Sequence, residues 1–597
     1  MCEEMKSLPR KQRLVSLFLI ITLVSSMLLP SVLGSVLATN IVLLNQSSHR
    51  PYPVETQWVT RYSGVGSYVD EAKGIHIDNE GNIIITGSSR GEPGETEAGH
   101  YDIVTIKYND QGVEQWIQRW DNQQYSLDDF ASSMVIDSLG NIYIVGKSLV
   151  GQYLYSLVII KYNALGEKQW EDFYYGGYSQ VLDYPEEIVL DESGNLYVSG
   201  SVKGEHSQFD ICVLKYSTSG QRLWVRCYDS EVNGNDTAQH LAVKNNAVVV
   251  VGEVATPEIW TDYVTLKYTD EGDLLWVKTY NYASTNEAAM VVAIDDSDNI
   301  YVTGSSNNGL AWYAYDYATI KYDPNGEVLW VQRYDGLANE SPVASADFVN
   351  DMILNTDGNI IVSGKSSAWV NLTDCYGTVC YTTAGEQLWA DRYYVYRGAP
   401  PALACDHLGN IYLGGSRAGG DTYHDFFTMR YNATGEVAWT ETYNGPGNYW
   451  DKAADIAVGP MGNVYVTGFS VGVGTDEDYM TIKYHQVDEV APLVTINSPQ
   501  PGYLYVANHV LWKRFVAEGT FIVGKCTIDV SAIDLDSGVR NVEFSIDGVV
   551  RGNVNTPPYQ YVWDQHVFSL NVHRINITVY DIMGNVKIVG LEVQKLF

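Results

Sequence analysis

The sequence predicts an all-β protein: an eight-bladed β-propeller, closed by an N-terminal strand and followed by an Ig-like β-sandwich. Three observations lead to this prediction, namely an eightfold sequence repeat, a composition typical of β-proteins, and a spare strand that precedes the first repeat. The chain of 597 residues contains 45 Tyr and 53 Gly but only 37 Lys and Arg. Such a length requires several domains or one large repeat array.

The first observation is a turn motif of the form Gly-Asn followed by β-branched or Tyr residues and a Gly. Its eight copies begin at Gly81, Gly140, Gly194, Asn246, Asp298, Gly358, Gly409 and Gly462. The spacings of 59, 54, 52, 52, 60, 51 and 53 residues suit a four-stranded propeller blade. In two copies the first Gly is replaced by Asn246 or Asp298, and Asn and Asp are the non-Gly residues that best tolerate a left-handed backbone. The motif therefore predicts a hairpin turn.

An Asp precedes this turn by three residues in five copies, and its carboxylate is predicted to accept hydrogen bonds from the turn amides. The five residues are Asp78, Asp137, Asp191, Asp295 and Asp406.

The second pattern, Tyr-x3-Gly-x3-Trp, predicts a hairpin between a Lys-Tyr strand and a Trp strand. It occurs seven times and ends at Trp116, Trp170, Trp224, Trp276, Trp330, Trp389 and Trp439. The final Lys-Tyr strand, 478–484, has no Trp strand after it, whereas 58–62 resembles the Trp strand 330–334. We therefore expect the N-terminal strand to pair with the last blade and to leave no open edge.

These motifs resemble the SBBP-type β-propeller repeats of bacterial and archaeal proteins, whose signature is GN-Y-V-TG, D-TIKY, G and W in that order. The resemblance covers the whole repeat region. The family's name refers to seven blades, so a seven-bladed ring is the alternative to the count of eight. The family has no established catalytic residues, so the resemblance implies none here.

The segment that follows the repeats has short alternating strands separated by Gly, Pro and Asn turns, which is typical of a β-sandwich. Its stretch Gly538 to Gly548 resembles the Ig-like modules at the ends of many exported prokaryotic surface proteins. That resemblance implies a spacer or adhesion unit. The predicted domains are an export signal at 1–38, a linker at 39–55, the propeller at 56–486 and the sandwich at 490–597.

The N-terminal segment has basic residues before the apolar run Leu14 to Leu29 and small residues up to Ala38. This arrangement predicts a signal peptide, because the run is shorter than the roughly 20 residues of a membrane-spanning helix. An uncleaved membrane anchor is the alternative. The predicted location is secreted or cell-surface. Six sequons are compatible with a glycoprotein, at Asn45, Asn235, Asn339, Asn371, Asn432 and Asn576.

The formal charge of −35 excludes nucleic acid as an expected partner, because phosphate binding requires a basic patch. The acidity favours solubility outside the cell, with Ca²⁺ binding as the alternative. The acidic segments 295–298 and 476–478 offer oxygen ligands, but neither has the Asp-x-Asp-x-Asp-Gly pattern of a calcium loop. We predict no other cofactor and no His/Cys metal site. The repeat register places Cys212 opposite Cys227, which predicts a disulfide.

The repeated Asp and Lys of the Lys-Tyr strand lie five residues apart and so point to opposite faces. A residue repeated once per blade is expected to join blades, and the repeated Trp is expected to pack between them. We find no catalytic motif and predict a protein that is not an enzyme. The alternative is an enzyme acting on an extracellular polymer, with Asp183, Glu186, Glu187 and Asp425 converging near a central channel.

The loops that do not repeat are the predicted binding face, since binding residues concentrate in variable loops on a rigid scaffold. Alternating strand direction places these loops at one end of the ring. Exposed aromatic residues there would stack on sugars or anchor a protein partner. The predicted binding residues are Trp260, Trp312, Tyr313, Trp369, Tyr449 and Trp450. The expected partner is a glycan or an extracellular protein, and a structural role in a cell envelope layer is the remaining alternative.

Overall fold

The computed structural model describes the chain apart from 18 segments. They are 1–53, 65–67, 92–98, 152–153, 177–182, 205–207, 258–259, 283–284, 312–313, 337–344, 369–372, 420–422, 460–461, 487–490, 513–519, 535–537, 566–567 and 597. The predicted signal peptide therefore lies outside the described residues. Within them every regular element is a β-strand, and no helix is long and apolar enough to cross a membrane.

The first sixteen strands of the repeat region form four sheets of four strands, each ordered as in the chain. Sheet 1 contains β2 (Asp70–Ile77), β3 (Ile83–Arg90), β4 (Tyr101–Tyr108) and β5 (Glu114–Trp120). Sheet 2 contains β6 (Asp129–Ile136), β7 (Ile142–Leu149), β8 (Tyr155–Tyr162) and β9 (Lys168–Tyr174). Sheet 3 contains β10 (Tyr184–Leu190), β11 (Leu196–Val202), β12 (Asp210–Tyr216) and β13 (Arg222–Tyr228). Sheet 4 contains β14 (Thr237–Lys244), β15 (Ala247–Ala255), β16 (Thr261–Thr269) and β17 (Leu274–Tyr280).

The remaining repeats continue the same meander. Sheet 5 contains β18 (Glu287–Ile294), β19 (Ile300–Asn307), β20 (Tyr315–Tyr322) and β21 (Val328–Tyr334). Sheet 6 contains β22 (Ser345–Leu354), β23 (Ile360–Ala368), β24 (Thr373–Tyr381) and β25 (Gln387–Tyr394), and one parallel bridge, Tyr315 to Ala346, joins it to sheet 5. Sheet 7 contains β26 (Ala399–Cys405), β27 (Ile411–Ala418), β28 (His424–Tyr431) and β29 (Val437–Tyr443). Sheet 8 contains β30 (Asp451–Val458), β31 (Val464–Val471) and β32 (Glu477–Gln486), and its fourth strand is β1 (Val54–Tyr62).

The strand that completes sheet 8 comes from the other end of the repeat region. β1 pairs antiparallel with β32, with Trp58 opposite Lys483 and Tyr62 opposite Tyr479. This is the pairing that the balance of Gly-Asn and Trp hairpins predicted.

The Asp acts as predicted in the five Gly-Asn turns that have one. In the fifth repeat, Oδ1 of Asp295 accepts hydrogen bonds from the amides of Ser297 (2.8 Å) and Asn299 (2.9 Å). Its Oδ2 accepts from the Asn299 side chain (2.8 Å) and the Tyr301 hydroxyl (2.9 Å). Asn246 and Asp298 have φ values of 66° and 61°, the left-handed conformation that the turn requires.

Repeated Trp and Lys residues join neighbouring sheets through one shared carbonyl. Between sheets 3 and 4, the Trp224 indole and the Lys215 ammonium both donate to the carbonyl oxygen of Asp270, at 2.9 and 2.8 Å. A Cβ on Gly272 would lie 3.0 Å from the Trp224 ring, so the close approach requires glycine at this turn. The prediction that these two residue types join the repeats is confirmed.

The prediction for the repeated Asp is wrong, because this residue forms an ion pair within its own sheet. Asp316 in β20 bonds Arg333 in β21 at 2.8 Å, and Asp478 in β32 bonds Arg61 in β1 at 2.8 Å. The two side chains lie diagonally on one face of an antiparallel pair of strands, where opposite charges attract. The ion pair of this Asp therefore joins two strands of one sheet.

The hydrophobic cores lie between successive sheets. Tyr197 and Val213 of sheet 3 pack with Leu241 and Val250 of sheet 4, and all four are fully buried. Sheets 3 and 4 are therefore held together by apolar burial as well as by the shared carbonyl.

The C-terminal segment forms two sheets around one separate core. Its strands are β33 (Leu493–Ser498), β34 (Leu504–Val506), β35 (His509–Trp512), β36 (Thr520–Val523), β37 (Cys526–Ile533), β38 (Val539–Ile546), β39 (Val549–Val554), β40 (Tyr559–Trp563), β41 (Phe568–Asp581) and β42 (Val586–Leu596). The orders are β33-β37-β40 and β35-β34-β36-β42-β41-β38-β39. Ile528 and Trp563 of the first sheet pack against Phe544 and Ile577 of the second, as in a β-sandwich.

Sheet 3 contains a disulfide between Cys212 of β12 and Cys227 of β13. The two residues are directly opposite in the strand register, as the repeat alignment predicted.

Candidate binding face

The two ends of the sheets carry different connections. The turns between first and second strands and between third and fourth strands share one end. The connections between second and third strands and between consecutive sheets share the other, which we call the variable end. Ten exposed aromatic residues are found among the described residues, all at the variable end. They are Tyr125, Tyr175, Trp260, Tyr282, Phe348, Tyr394, Tyr396, Tyr423, Tyr449 and Trp450.

Four rings form one cluster at the variable end, three from two connections and one from His424, the first residue of β28. The ring centroids of Tyr449 and Tyr423 are 4.2 Å apart. Those of Trp450 and His424 are 4.7 Å apart, with an angle of 23° between the ring planes. Tyr423, Tyr449 and Trp450 are 37, 44 and 42% exposed. We call these four residues the aromatic cluster. Burial and the nearby cations lower the pKa of His424, so its imidazole is neutral at neutral pH and extends the aromatic surface.

The backbone beneath the aromatic cluster is fixed by hydrogen bonds. The carbonyl oxygen of Trp450 accepts from the amide of Val471 at 3.1 Å. The buried carboxylate of Asp451 accepts from the amide of Gly445 at 2.5 Å, at the start of the same connection. The connection that carries Tyr449 and Trp450 is therefore hydrogen-bonded at both of its ends, and such anchoring lowers the entropy cost of binding.

The Asp451 contact recurs around the repeat region. A buried acid stands at or near the start of the first strand in seven sheets and accepts a hydrogen bond from an amide of the preceding connection. These acids are Asp70, Asp129, Asp183, Asp236, Glu287, Asp347 and Asp451, and the amides belong to Gly64, Asn122, Gly176, Ser230, Tyr282, Gly336 and Gly445. Burial raises the pKa of Asp183 to about 7. Sequence reasoning missed this set, although an acid recurs shortly after each of the corresponding Trp strands.

Three of the predicted binding residues, Trp260, Tyr449 and Trp450, are among the described residues, and they lie in two places. Trp260 is 39% exposed and precedes β16 in sheet 4, where its carbonyl oxygen accepts hydrogen bonds from Thr256. It makes no ring contact with the aromatic cluster, which lies between sheets 7 and 8. Tyr449 and Trp450 are together, as their adjacency in the sequence requires.

Three predicted binding residues, Trp312, Tyr313 and Trp369, lie outside the described residues. Their part in the binding face stays a prediction. Tyr423, by contrast, was missed by sequence reasoning, because its contact with Tyr449 joins connections 26 residues apart in the chain.

A cavity of about 490 Å³ lies along the first strands of sheets 1, 2, 3 and 8. Of the four carboxylates considered for an enzyme, only Glu187 lines it. Glu187 accepts a hydrogen bond from Ser133 of sheet 2 at 2.7 Å and lies 4.0 Å from His240 of sheet 4. Asp455, also on the wall, accepts from the amide of Ile75 at 2.9 Å. These carboxylates join neighbouring sheets.

The acidic segments considered for Ca²⁺ have other partners in the structure. Asp295 bonds its own turn, as described above, and Asp478 bonds Arg61 and the hydroxyl of Thr475, both at 2.8 Å. The side chain of Asp296 is 98% exposed and contacts Lys244 at 2.6 Å. Neither segment gathers its carboxylates around one point.

Comparison with known protein families finds a match in each part of the chain. Residues 124–151 match the family model described as Beta-propeller repeat, SBBP, and residues 517–579 match the model described as Bacterial Ig domain. No curated protein matches the chain.

Several solved structures are similar at low identity. One is the extracellular domain of a putative one component system from B. thetaiotaomicron, with 11% identity and a TM-score of 0.33, covering 88% of this chain and 68% of that one. Another is the polysaccharide lyase Uly1, with 12% identity and a TM-score of 0.37, covering 60% and 90%. By the family models, the chain contains one segment that matches the SBBP β-propeller repeat and a C-terminal segment that matches the bacterial Ig domain.

Proposed function

We propose that the protein is an exported, non-enzymatic binding and scaffold protein, secreted or held at the cell surface. Its repeats form an eight-bladed propeller closed by β1, and its variable end engages a glycan or an extracellular protein. The Ig-like domain acts as a spacer. The export signal at 1–38 delivers the protein to this location.

Contacts between sheets 8 and 1 support the closed ring. Trp58 of β1 donates to the carbonyl oxygen of Asp110 at 2.9 Å, and Lys483 donates to the same oxygen at 3.0 Å. The indole of Trp58 also packs against Gly112. These contacts are the counterparts of those of Trp224 and Lys215 between sheets 3 and 4, so the first and last sheets are joined as consecutive sheets are.

The position of the exposed aromatic residues is the observation that carries the binding function. All ten lie at the variable end, whereas Leu139 (80% exposed) and Leu165 (74%) are aliphatic residues at the opposite end. Aromatic rings supply a large contact area at a low entropy cost and stack on the apolar faces of sugars. The aromatic cluster contains three of these ten residues, Tyr423, Tyr449 and Trp450, and His424 adds a fourth ring.

A binding screen of the purified protein tests this function. Polysaccharides and cell-wall polymers are presented as insoluble or immobilised ligands, and retention is compared for the wild type and for Tyr449→Ala/Trp450→Ala. We expect the wild type to bind at least one polymer and the double variant to lose at least tenfold in affinity, since a central aromatic contact contributes about 2 kcal/mol or more.

The matched control is Leu139→Ala, which removes an exposed apolar side chain from the opposite end. It should bind like the wild type. Equal binding by the double variant and the wild type would contradict the assignment of the aromatic cluster. Loss of binding in Leu139→Ala would contradict the assignment of binding to the variable end.

A further inference from the structure

Three carboxylates meet at the junction of sheets 1 and 2. Asp102 lies in β4, Asp121 follows β5 and Asp129 begins β6, and one ligand oxygen from each lies within 4.8 Å of the others. We call them the junction acids. They come from three separate positions in the repeat, so no short sequence motif predicts that they meet.

Asp129 contributes an oxygen that the protein itself does not satisfy. The residue is 0% exposed, and its Oδ1 has no hydrogen-bond partner among the described residues. Its Oδ2 accepts from the amide of Asn122 at 2.9 Å. A buried carboxylate oxygen without a donor is costly, and a cation between the junction acids would satisfy it.

The junction acids also lack a balancing charge. Arg119 bonds Oδ2 of Asp102 and directs its other donors to Ser89, at 2.9 and 2.8 Å. With all three carboxylates ionised, the group and the one guanidinium carry −3 + 1 = −2, which a single divalent cation neutralises. Asp121 contacts Gln123 and Ser126, at 3.1 and 3.4 Å, and neither is charged.

We propose that the junction acids hold a Ca²⁺ ion between sheets 1 and 2. All three ligands are carboxylate oxygens, which suit a hard cation, and the absence of His and Cys from the cluster disfavours zinc. The ion pins the connection from β5 to β6 at the variable end. The binding function of that end does not depend on this site, which lies away from the aromatic cluster of sheets 7 and 8.

The same three positions recur once in the repeat. Asp316, Asp335 and Asp347 occupy the equivalent places in sheets 5 and 6 and also lie within 4.8 Å of one another. Arg333 bonds Asp316 there as Arg119 bonds Asp102. This recurrence shows that the arrangement belongs to the repeat geometry, and it sets a limit of two such sites among the described residues.

Counting bound ions in the full-length protein tests the proposal. The protein is freed of metal with a chelator, and the number of Ca²⁺ ions bound is measured by equilibrium dialysis and calorimetry. The wild type should bind with a dissociation constant of about 10⁻⁴ to 10⁻³ M, the range of extracellular calcium modules. Asp121→Asn should bind one ion fewer, and Asp121→Glu, which keeps the carboxylate, should retain it.

The control is Asp296→Asn, which removes one negative charge from the acidic turn 295–298. It should bind as many ions as the wild type. The proposal is overturned if the wild type binds no Ca²⁺, if Asp121→Asn binds as many ions as the wild type, or if Asp296→Asn is the variant that loses one. The Asp121→Glu variant separates loss of a ligand from misfolding, because a misfolded site would fail in both substitutions.

Discussion

Replacing Trp58 with alanine should lower the free energy of local unfolding of β1 by about 3 kcal/mol. Truncating a buried Trp costs about 3–5 kcal/mol, and the half-buried indole of Trp58 accounts for about 2 of these. The lost hydrogen bond from its Nε1 to Asp110, 2.9 Å long, adds about 1 kcal/mol. Trp224→Ala is the matched control, since it removes the same contact, also 2.9 Å long, between sheets 3 and 4.

Hydrogen exchange of the β1 amides measures this effect locally. A chain of this size is not expected to unfold in two states, so a global unfolding curve is the weaker assay. A loss of 3 kcal/mol corresponds to roughly 100-fold faster exchange in β1 (Val54–Tyr62) of Trp58→Ala. Trp224→Ala should leave β1 protected and accelerate exchange in β13 instead. Equal protection of β1 in Trp58→Ala and the wild type would refute the closure of the ring through this residue.

Three further predictions concern stability. Reducing the Cys212–Cys227 disulfide, which closes a loop of sequence separation 15, should cost about 3 kcal/mol and lower the melting temperature in dithiothreitol; a double Ser variant should show no such response. Gly272→Ala should destabilise by at least about 1 kcal/mol in urea, since φ is 86° and its Cβ would press on Trp224. Burial raises the pKa of Asp183 from 3.8 to about 7, so the stability it confers is full below about pH 4 and is lost as the pH rises through 7; melting scans of Asp183→Asn should lack this slope.

The repeats could be predicted because each residue in them has one local role. The left-handed Gly-Asn turn, the Asp that bonds it and the alternation of the strands all depend on contacts within a few residues, which the sequence displays directly. The pairing of β1 with β32 is a contact across the whole repeat region, and it was predictable only because the spare Trp58 strand balances the count of hairpins. Cys212 and Cys227 followed from the same register.

The sequence predicts which residues lie at the variable end, but it does not predict which of them contact one another. The contact of Tyr423 with Tyr449 depends on the path of two connections of different length, and no periodic pattern constrains such a path. The junction acids depend in the same way on how sheet 1 meets sheet 2. The ion pair of Asp316 with Arg333 was misjudged because a residue repeated in every blade suggests contact between blades, whereas antiparallel neighbours within one sheet were the nearer partners.

Footprinting of the full-length protein, with and without a polymer that it retains, locates the binding surface. Exposed side chains are labelled by brief oxidation with and without the polymer, and the modification of each residue is measured by mass spectrometry. We expect the polymer to protect Tyr449 and Trp450 and to leave the labelling of Leu139 and Leu165 at the opposite end unchanged. Protection confined to the opposite end or to the Ig-like domain, with Tyr449 and Trp450 still labelled as in the free protein, would contradict it.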